Sequence, residues 1–447
     1  MNFRSGRKQI ESVFIFCDAP SETLLSNDNI IDGGLLPLSE KELSFKCEST
    51  GEHDDSLVSS SFNAEASTYC SNSKGEKFAG SNRAEALRDE ILKQEELYLS
   101  KLTTEDENPT QEGKHEDCSP YTKLISKDLK PFQSGITKDM IDEASARGIL
   151  YQVLGGKLYR KRECNFPNRC SGIEHFLVEI AKSLPDTEFI VNISDWPQIP
   201  AWSRAVIPVF SFSKTSDYAD ITYPAWTFWE GGPAISICPK GIGRWDLIRK
   251  SLISTSKKIK WNKKQAVAFF RGSRTSNERD PLILLSRKNP HLVDAQYTKN
   301  QAWKSDRDTL NAPAAAEVSF EGHCAYKYLF NYRGVAASFR FKHLFLCNSL
   351  VFHVGEDWTE FFYPALIPWI HYVPVEKSAK EEDLRFLIQF FQANDDISSR
   401  IAARGYDFIV RNLKLSHVFC YWRELLSSYT KYVTYNVQKR GDVIPIS

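Results

Sequence analysis

The 447-residue sequence lacks an excess of either charge: Lys and Arg number 57, and so do Asp and Glu. A formal net charge of zero removes the global electrostatic argument for a nucleic-acid or anionic-membrane partner, leaving only local basic sites to consider. No stretch approaches the roughly 18 uninterrupted apolar residues of a bilayer-spanning helix, and no secretory apolar core follows Met1-Asn2-Phe3-Arg4, so a soluble chain carrying no visible address is expected. The ten cysteines include no C-x-x-C pair and no Cys/His cluster at zinc spacing, which disfavours a structural metal. They can be staples of an oxidising compartment or free buried thiols. The nine histidines contain no H-E-x-x-H or other close ligand pair, so each is read as a core or surface residue.

What is present is a large potential core. Hydrophobic residues make up 42% and aromatics 13%, too much for a chain disordered throughout. The exception is the first ~115 residues, rich in Ser, Asn, Glu, Asp and Lys, which read as a disordered or low-complexity extension. Within it, Ala84, Ala86, Leu87, Ile91, Leu92 and Leu97 recur at near-helical intervals and predict a marginal amphipathic helix over 82–102, with or without a partner. From residue 116 onward aromatic runs bounded by Pro and Gly mark the folded part. Ser171 to Glu174 fits a capping box ahead of the stripe Ile173, Phe176, Leu177, Ile180. Strands are predicted at 189–193 and 206–212, then strands at 266–270, 292–295, 326–331, 350–354 and 369–373, with helices from Pro281 and over 337–347 and 381–392. This alternation argues an α/β fold with parallel sheets, whose ligands bind beyond the carboxyl ends of strands.

Three post-strand loops therefore draw attention. Residues 271–279 hold three arginines and three hydroxyls in nine residues, suited to a phosphate or, alternatively, to an exposed salt-bridged loop; Asp280 can cap a helix beginning at Pro281. In 331–340, small residues lead from a strand into a helix start that favours an anion, although the full dinucleotide fingerprint is absent and a plain tight turn competes. After the strand ending at Ile193, Asp195 precedes Trp196-Pro197-Gln198, and it can serve as a general base or simply form the turn. Asp306-Arg307-Asp308 resembles a metal-holding D-x-D, but such short patterns arise by chance. The sequon Asn192-Ile193-Ser194 lies at the end of a predicted buried strand, and Tyr223 to Gly232 reads as core before it reads as a sugar-binding wall.

From about Cys118 to Val437 the chain resembles the protein O-glucosyltransferases of the Rumi family. The likeness is carried by Phe210-Ser211-Phe212-Ser213-Lys214-Thr215-Ser216, Ala225-Trp226-Thr227-Phe228-Trp229-Glu230-Gly231-Gly232-Pro233, Phe270-Arg271-Gly272-Ser273-Arg274-Thr275-Ser276 and Gly334-Val335-Ala336-Ala337-Ser338-Phe339-Arg340-Phe341-Lys342-His343. It implies a GT-B type α/β fold, two Rossmann-like domains facing a cleft: 116–245 binding acceptor, 246–404 binding UDP-sugar, and C-terminal helices over 405–447 packing back on the first domain. It implies no metal and no cofactor beyond the donor substrate UDP-glucose, with UDP-xylose as a second donor. The acceptor would be a serine in the C-x-S-x-P/A-C pattern of folded EGF-like repeats, such as those of Notch-type receptors, glucosylated with inversion.

By the same resemblance Asp195 is the catalytic base. Ser273, Arg279, Val335, Ala336, Ala337, Ser338, Phe339 and the adjoining Arg340 hold the UDP-sugar, together with Cys238, which stands where an aromatic is typical. Asn165, Phe166, Pro167, Asn168 and Arg169, with Ala234, Ile235, Ser236, Ile237 and Pro239, contact the acceptor peptide. Cys164 pairs with Cys170, Cys324 with Cys347, and Cys118 with Cys420. Such bridges imply an oxidising lumen, by the resemblance that of the endoplasmic reticulum, although the chain ends Pro445-Ile446-Ser447 without the family's usual KDEL-like signal, and a monomer is expected. Two rivals follow from other classes: a non-catalytic luminal factor that binds EGF-like repeats, and a GT-B transferase with a glycan acceptor.

Overall fold

The structure, a computed structural model, describes residues 73–106, 118–232, 242–300 and 303–447. The chain forms two compact units, one spanning residues 20–89, of which only the start of the first helix is described, and one that carries everything from Glu90 onward.

That helix, α1 (Ser73–Asp106), covers the predicted 82–102 segment and extends beyond it at both ends. Its part from Glu90 onward belongs to the larger unit and packs within it: Ile91 is buried, and Glu95 pairs with Arg400 and Arg404. After it come α2 (Ser119–Leu129), α3 (Lys138–Ala144), β1 (Ile149–Leu154), β2 (Lys157–Lys161), α4 (Pro167–Ala181), β3 (Thr187–Val191), β4 (Val209–Ser211), β5 (Ile221–Thr222) and α5 (Trp245–Lys258). The chain continues with β6 (Gln265–Gly272), α6 (Asp280–Lys288), β7 (Val293–Tyr297), α7 (Phe320–His323), β8 (Tyr326–Tyr332), α8 (Phe341–Phe345), β9 (Leu350–Val354) and β10 (Val373–Val375). It closes with α9 (Glu381–Ala393), α10 (Asp395–Asn412), α11 (Leu415–Thr430) and β11 (Val443–Ile446).

The strands form two sheets. The second, ordered β10-β9-β8-β6-β7, is parallel throughout, as the alternation predicts. Its β9 is wholly buried, which requires cover on both faces. Read in chain order it begins at β6, goes outward to β7, then crosses back to β8, so the direction of winding reverses between β6 and β8. The first sheet, β11-β2-β1-β3-β4-β5, is mixed: β3, β4 and β5 run parallel, whereas β1 is antiparallel to β2 and β3. The alternation did not foresee this, because a two-residue β1–β2 connection, Gly155 and Gly156 at positive φ, makes a hairpin.

Several boundaries move for identifiable reasons. Pro167, free of any need for an amide donor, starts α4 four residues before the supposed capping box, so Ser171 lies inside the helix and donates to Glu230 at 2.6 Å. The stripe Ile173, Phe176, Leu177 and Ile180 is buried as its spacing predicts. A 3₁₀ turn over Asn277–Arg279 precedes α6, and Asp280, rather than capping, accepts from Arg274 and Tyr297. The helix expected over 337–347 shrinks to the five residues of α8, and the strand expected at 369–373 begins only at Val373. The proposed boundary at 404/405 falls inside α10. The C-terminal segment is not helical throughout: it ends in β11, which pairs antiparallel with β2 and tolerates Pro445 because it is an edge strand.

Candidate active site

The loop after β3 is built by two buried polar side chains. Asn192 accepts from the Ser194 amide at 2.8 Å and donates to the Trp196 carbonyl at 2.7 Å. Asp220 accepts from the amides of Gln198 and Ile199, each at 2.7 Å, and from the Ser211 hydroxyl at 2.6 Å. Burial raises the Asp220 pKa, and these donors only partly offset it. The loop is thereby pinned at both ends, with Asp195 at its outer turn, its side chain 39% exposed. Asn192 is buried and fully engaged, so the sequon cannot present it to a glycan. Arg169, from the first turn of α4, meets Asp195 Oδ1 at 3.1 Å and donates to the Ile193 carbonyl at 2.6 Å.

A second cluster lies at the winding reversal of the parallel sheet, in the loops after β6 and β8, where ligands of open α/β sheets bind. The arginines there divide into two groups. Arg271 is paired with Asp294, Arg274 with Asp280, and Arg333 with Glu278. Arg279 and Arg340 have no carboxylate within ion-pairing distance among the described residues. Arg279 is buried and donates to the carbonyls of Ser273 and Arg333, its Nε left without a partner. Arg340 donates to the Arg271 carbonyl at 2.8 Å. Both lie over the Phe270 ring, at 5.5 and 5.1 Å from its centroid. Gly272 makes room, since a Cβ there would come within 2.9 Å of Arg340 Nη2. Burial, and for Arg279 also repulsion from Arg340, pulls the two guanidinium pKa values down to about 9 and about 10. Two desolvated cations answered only by neutral oxygens are a site short of negative charge.

The 334–340 turn shapes this cluster. Ala336, Ala337 and Ser338 are buried and Val335 exposed, with the Gly334 amide donating to the Ala336 carbonyl at 2.8 Å. Because α8 starts only at Phe341 and has five residues, the anticipated longer helix does not begin at these small residues, and the positive charge of the cluster comes from the arginine side chains. Phe339 extends from the turn to Phe212 and Trp226, ring centroids 5.0 and 5.6 Å away. Arg169 lies 4.5 Å from the centroid of the same Trp226. One buried indole thus has the donor-side turn and the arginine of Asp195 as neighbours, and Trp226 belongs to the core, as the bland reading of 223–232 had it.

Of the residues singled out, Asn165 to Arg169 lead into α4, held by the Cys164–Cys170 bridge. Cys118–Cys420 and Cys324–Cys347 are also bonded. Ala234, Ile235, Ser236, Ile237, Cys238 and Pro239 lie outside the described residues. Asp308 accepts from the amides of Lys304 and Ser305 in a 3₁₀ turn, a local capping job for the D-x-D. Among the described residues no group of three or more His, Cys, Asp or Glu could hold a metal ion, and no helix is long and apolar enough to cross a membrane. Sequence reading did not find the Arg169–Asp195 pair or the division of the arginines; a cation flanked by Phe166 and Cys170 was the available signal for the first.

The profile of glycosyl transferase family 90 matches residues 113–447, and the chain belongs to that family. Protein O-glucosyltransferase 1 of Rattus norvegicus is 56% identical over 334 residues, 74% of this chain and 85% of the relative. The Homo sapiens protein of the same name is 57% identical over 328 residues, 73% of this chain and 83% of its own length, and the O-glucosyltransferase rumi of Drosophila melanogaster is 55% identical over 333 residues, 74% and 81%. Among solved structures, HepE of Anabaena in complex with UDP and glucose aligns over 42% of this chain and 58% of its own, at 14% identity and a TM-score of 0.30, a likeness too slight to carry an argument.

Proposed function

We propose that this chain is an inverting protein O-glucosyltransferase of the GT-B type, moving glucose from UDP-glucose to a serine hydroxyl of the C-x-S-x-P/A-C pattern in folded EGF-like repeats. Its relatives' names support the transfer of glucose to protein. The observation that carries the site reading is the pair of Arg279, buried, and Arg340, half-buried, neither with a carboxylate at ion-pairing distance among the described residues, at the winding reversal and joined through Phe339, Trp226 and Arg169 to Asp195. In that reading the two sheets carry the halves of an interdomain cleft.

The acceptor serine oxygen attacks the anomeric carbon as the bond from that carbon to the β-phosphate oxygen breaks. Asp195 takes the hydroxyl proton, and UDP leaves with the electron pair. Arg279 and Arg340, with Ser273 and the 335–339 turn, answer the charge that grows on the diphosphate. Asn165 to Arg169 and the 234–239 segment contact the peptide. UDP-xylose is a second donor under the same geometry, and three disulfides support residence in an oxidising lumen, that of the endoplasmic reticulum.

The test is transfer from UDP-glucose to a folded EGF-like repeat, followed by mass spectrometry of the repeat. Wild-type protein should add one hexose at the serine, Asp195→Asn should lose nearly all activity, and a chelator should change little. Full activity in Asp195→Asn, or strict dependence on manganese, would end this reading.

A further inference from the structure

We propose that Arg169 is a positioning residue for Asp195; the inference rests on Asp195 being the base. The arginine is fixed from four directions. Its Nη1 donates to the Ile193 carbonyl at 2.6 Å and lies 3.1 Å from Asp195 Oδ1. Its guanidinium carbon is 4.5 Å from the centroids of both the Phe166 and Trp226 rings, so two aromatic faces hold the planar group. Phe166 and Arg169 flank the start of α4, where the Cys164–Cys170 bridge restrains the chain.

The carboxylate, by contrast, stands on a partly exposed turn, where one χ1 rotation would carry it away from any substrate. The Ser194–Ile199 backbone is pinned through Asn192 and Asp220, but neither touches the Asp195 side chain. Arg169 supplies that constraint. It holds Oδ1, while Oδ2 has no partner among the described residues and is open to receive a proton. A base held in one rotamer with one free oxygen has the geometry a proton transfer in the transition state needs.

The experiment compares Arg169→Gln, Arg169→Lys, Asp195→Asn and the double variant Arg169→Gln/Asp195→Asn in glucose transfer to a folded EGF-like repeat. Loss of alignment should lower kcat of Arg169→Gln by on the order of 100-fold, with the acceptor KM changed less than about threefold. Arg169→Lys, which keeps a cation but not the planar fork, should fall between wild type and Arg169→Gln. The double variant should be no worse than Asp195→Asn, since an arginine acting through the carboxylate has nothing left to position. Thermal unfolding identifies a variant that fails to fold, in which case Arg169→Lys reads the same split. A raised acceptor KM with kcat intact, or losses that multiply in the double variant, would overturn the positioning role while leaving the base in place. Full activity in Asp195→Asn alone overturns the base assignment and the positioning role together.

Discussion

Arg279 and Arg340 are desolvated and close enough to repel, and carbonyl oxygens compensate them only in part. A bound diphosphate would relieve both, so under the proposed function the empty site is less stable than the occupied one. Arg279→Met should therefore unfold at nearly the wild-type temperature in the absence of nucleotide. The variant should lose most of the thermal shift that UDP produces in wild type, where 100 times Kd corresponds to about 2.7 kcal/mol. Differential scanning with and without UDP checks this. A different use of charge occurs at Glu188, which is buried and accepts from Arg440 at 2.8 Å, Tyr435 at 2.6 Å and Gln152 at 2.8 Å. Burial pushes its pKa up, but these donors together outweigh burial and hold it below the ordinary value. A folded-state pKa below the unfolded one means stability that is present above about pH 4.3 and lost as pH falls through the folded value. Glu188→Gln should cost about 3–5 kcal/mol at pH 7, and denaturant titrations should show the gap to wild type closing below about pH 4.

Helix α4 serves two tasks, carrying Arg169 at its start and packing Gly172 against the 226–230 turn. A Cβ at Gly172 would lie 2.7 Å from the Trp226 carbonyl and 2.9 Å from that of Glu230, both backbone atoms that cannot swing aside. Gly172→Ala should lower stability by about 1–3 kcal/mol, and because the same turn supports Trp226 it should also reduce transfer activity measured well below the melting temperature. Helix α1 is held by Glu95 between Arg400 and Arg404 of α10 and by Tyr98 edge-on to His371. The periodicity of Ala84 to Leu97 made α1 visible, whereas nothing local marks which distant cations answer Glu95. The same division holds elsewhere. Strand β9 was legible because four of its five residues are apolar, and α9 because its stripe is regular. Residues 337–340 read as helix because Ala and Ser suit both states, although the structure makes them turn, and β11 is not visible in the sequence because an edge strand of four residues containing proline has almost no local signature. At the candidate site, the sequence pattern directed attention to the post-strand loops that hold Asp195, Arg279 and the 335–340 turn. The engagement of Arg271, Arg274 and Arg333 by acids was not, since ion pairing among nearby side chains is decided by packing.

At the scale of the whole molecule, α2 and α11 are joined by Cys118–Cys420 across 302 residues of sequence, and β11 completes the sheet that β1 and β2 begin. Closing so long a loop restricts the unfolded chain, so Cys118→Ser/Cys420→Ser should lose ~2–5 kcal/mol, read as a lower midpoint in urea with a larger m-value, because the unlinked unfolded chain is less compact. The same closure bears on vectorial synthesis. A ribosome delivering this chain releases Cys118 long before Cys420 and β11. Throughout translation of the intervening segment the outer edge of β2 has no covering strand and α2 lacks α11, the condition under which nascent proteins pair wrongly with one another. The amino-terminal sheet therefore cannot be completed until β11 has emerged, after every strand of the parallel sheet, and the oxidant that forges the long bridge must act after Cys420 is delivered.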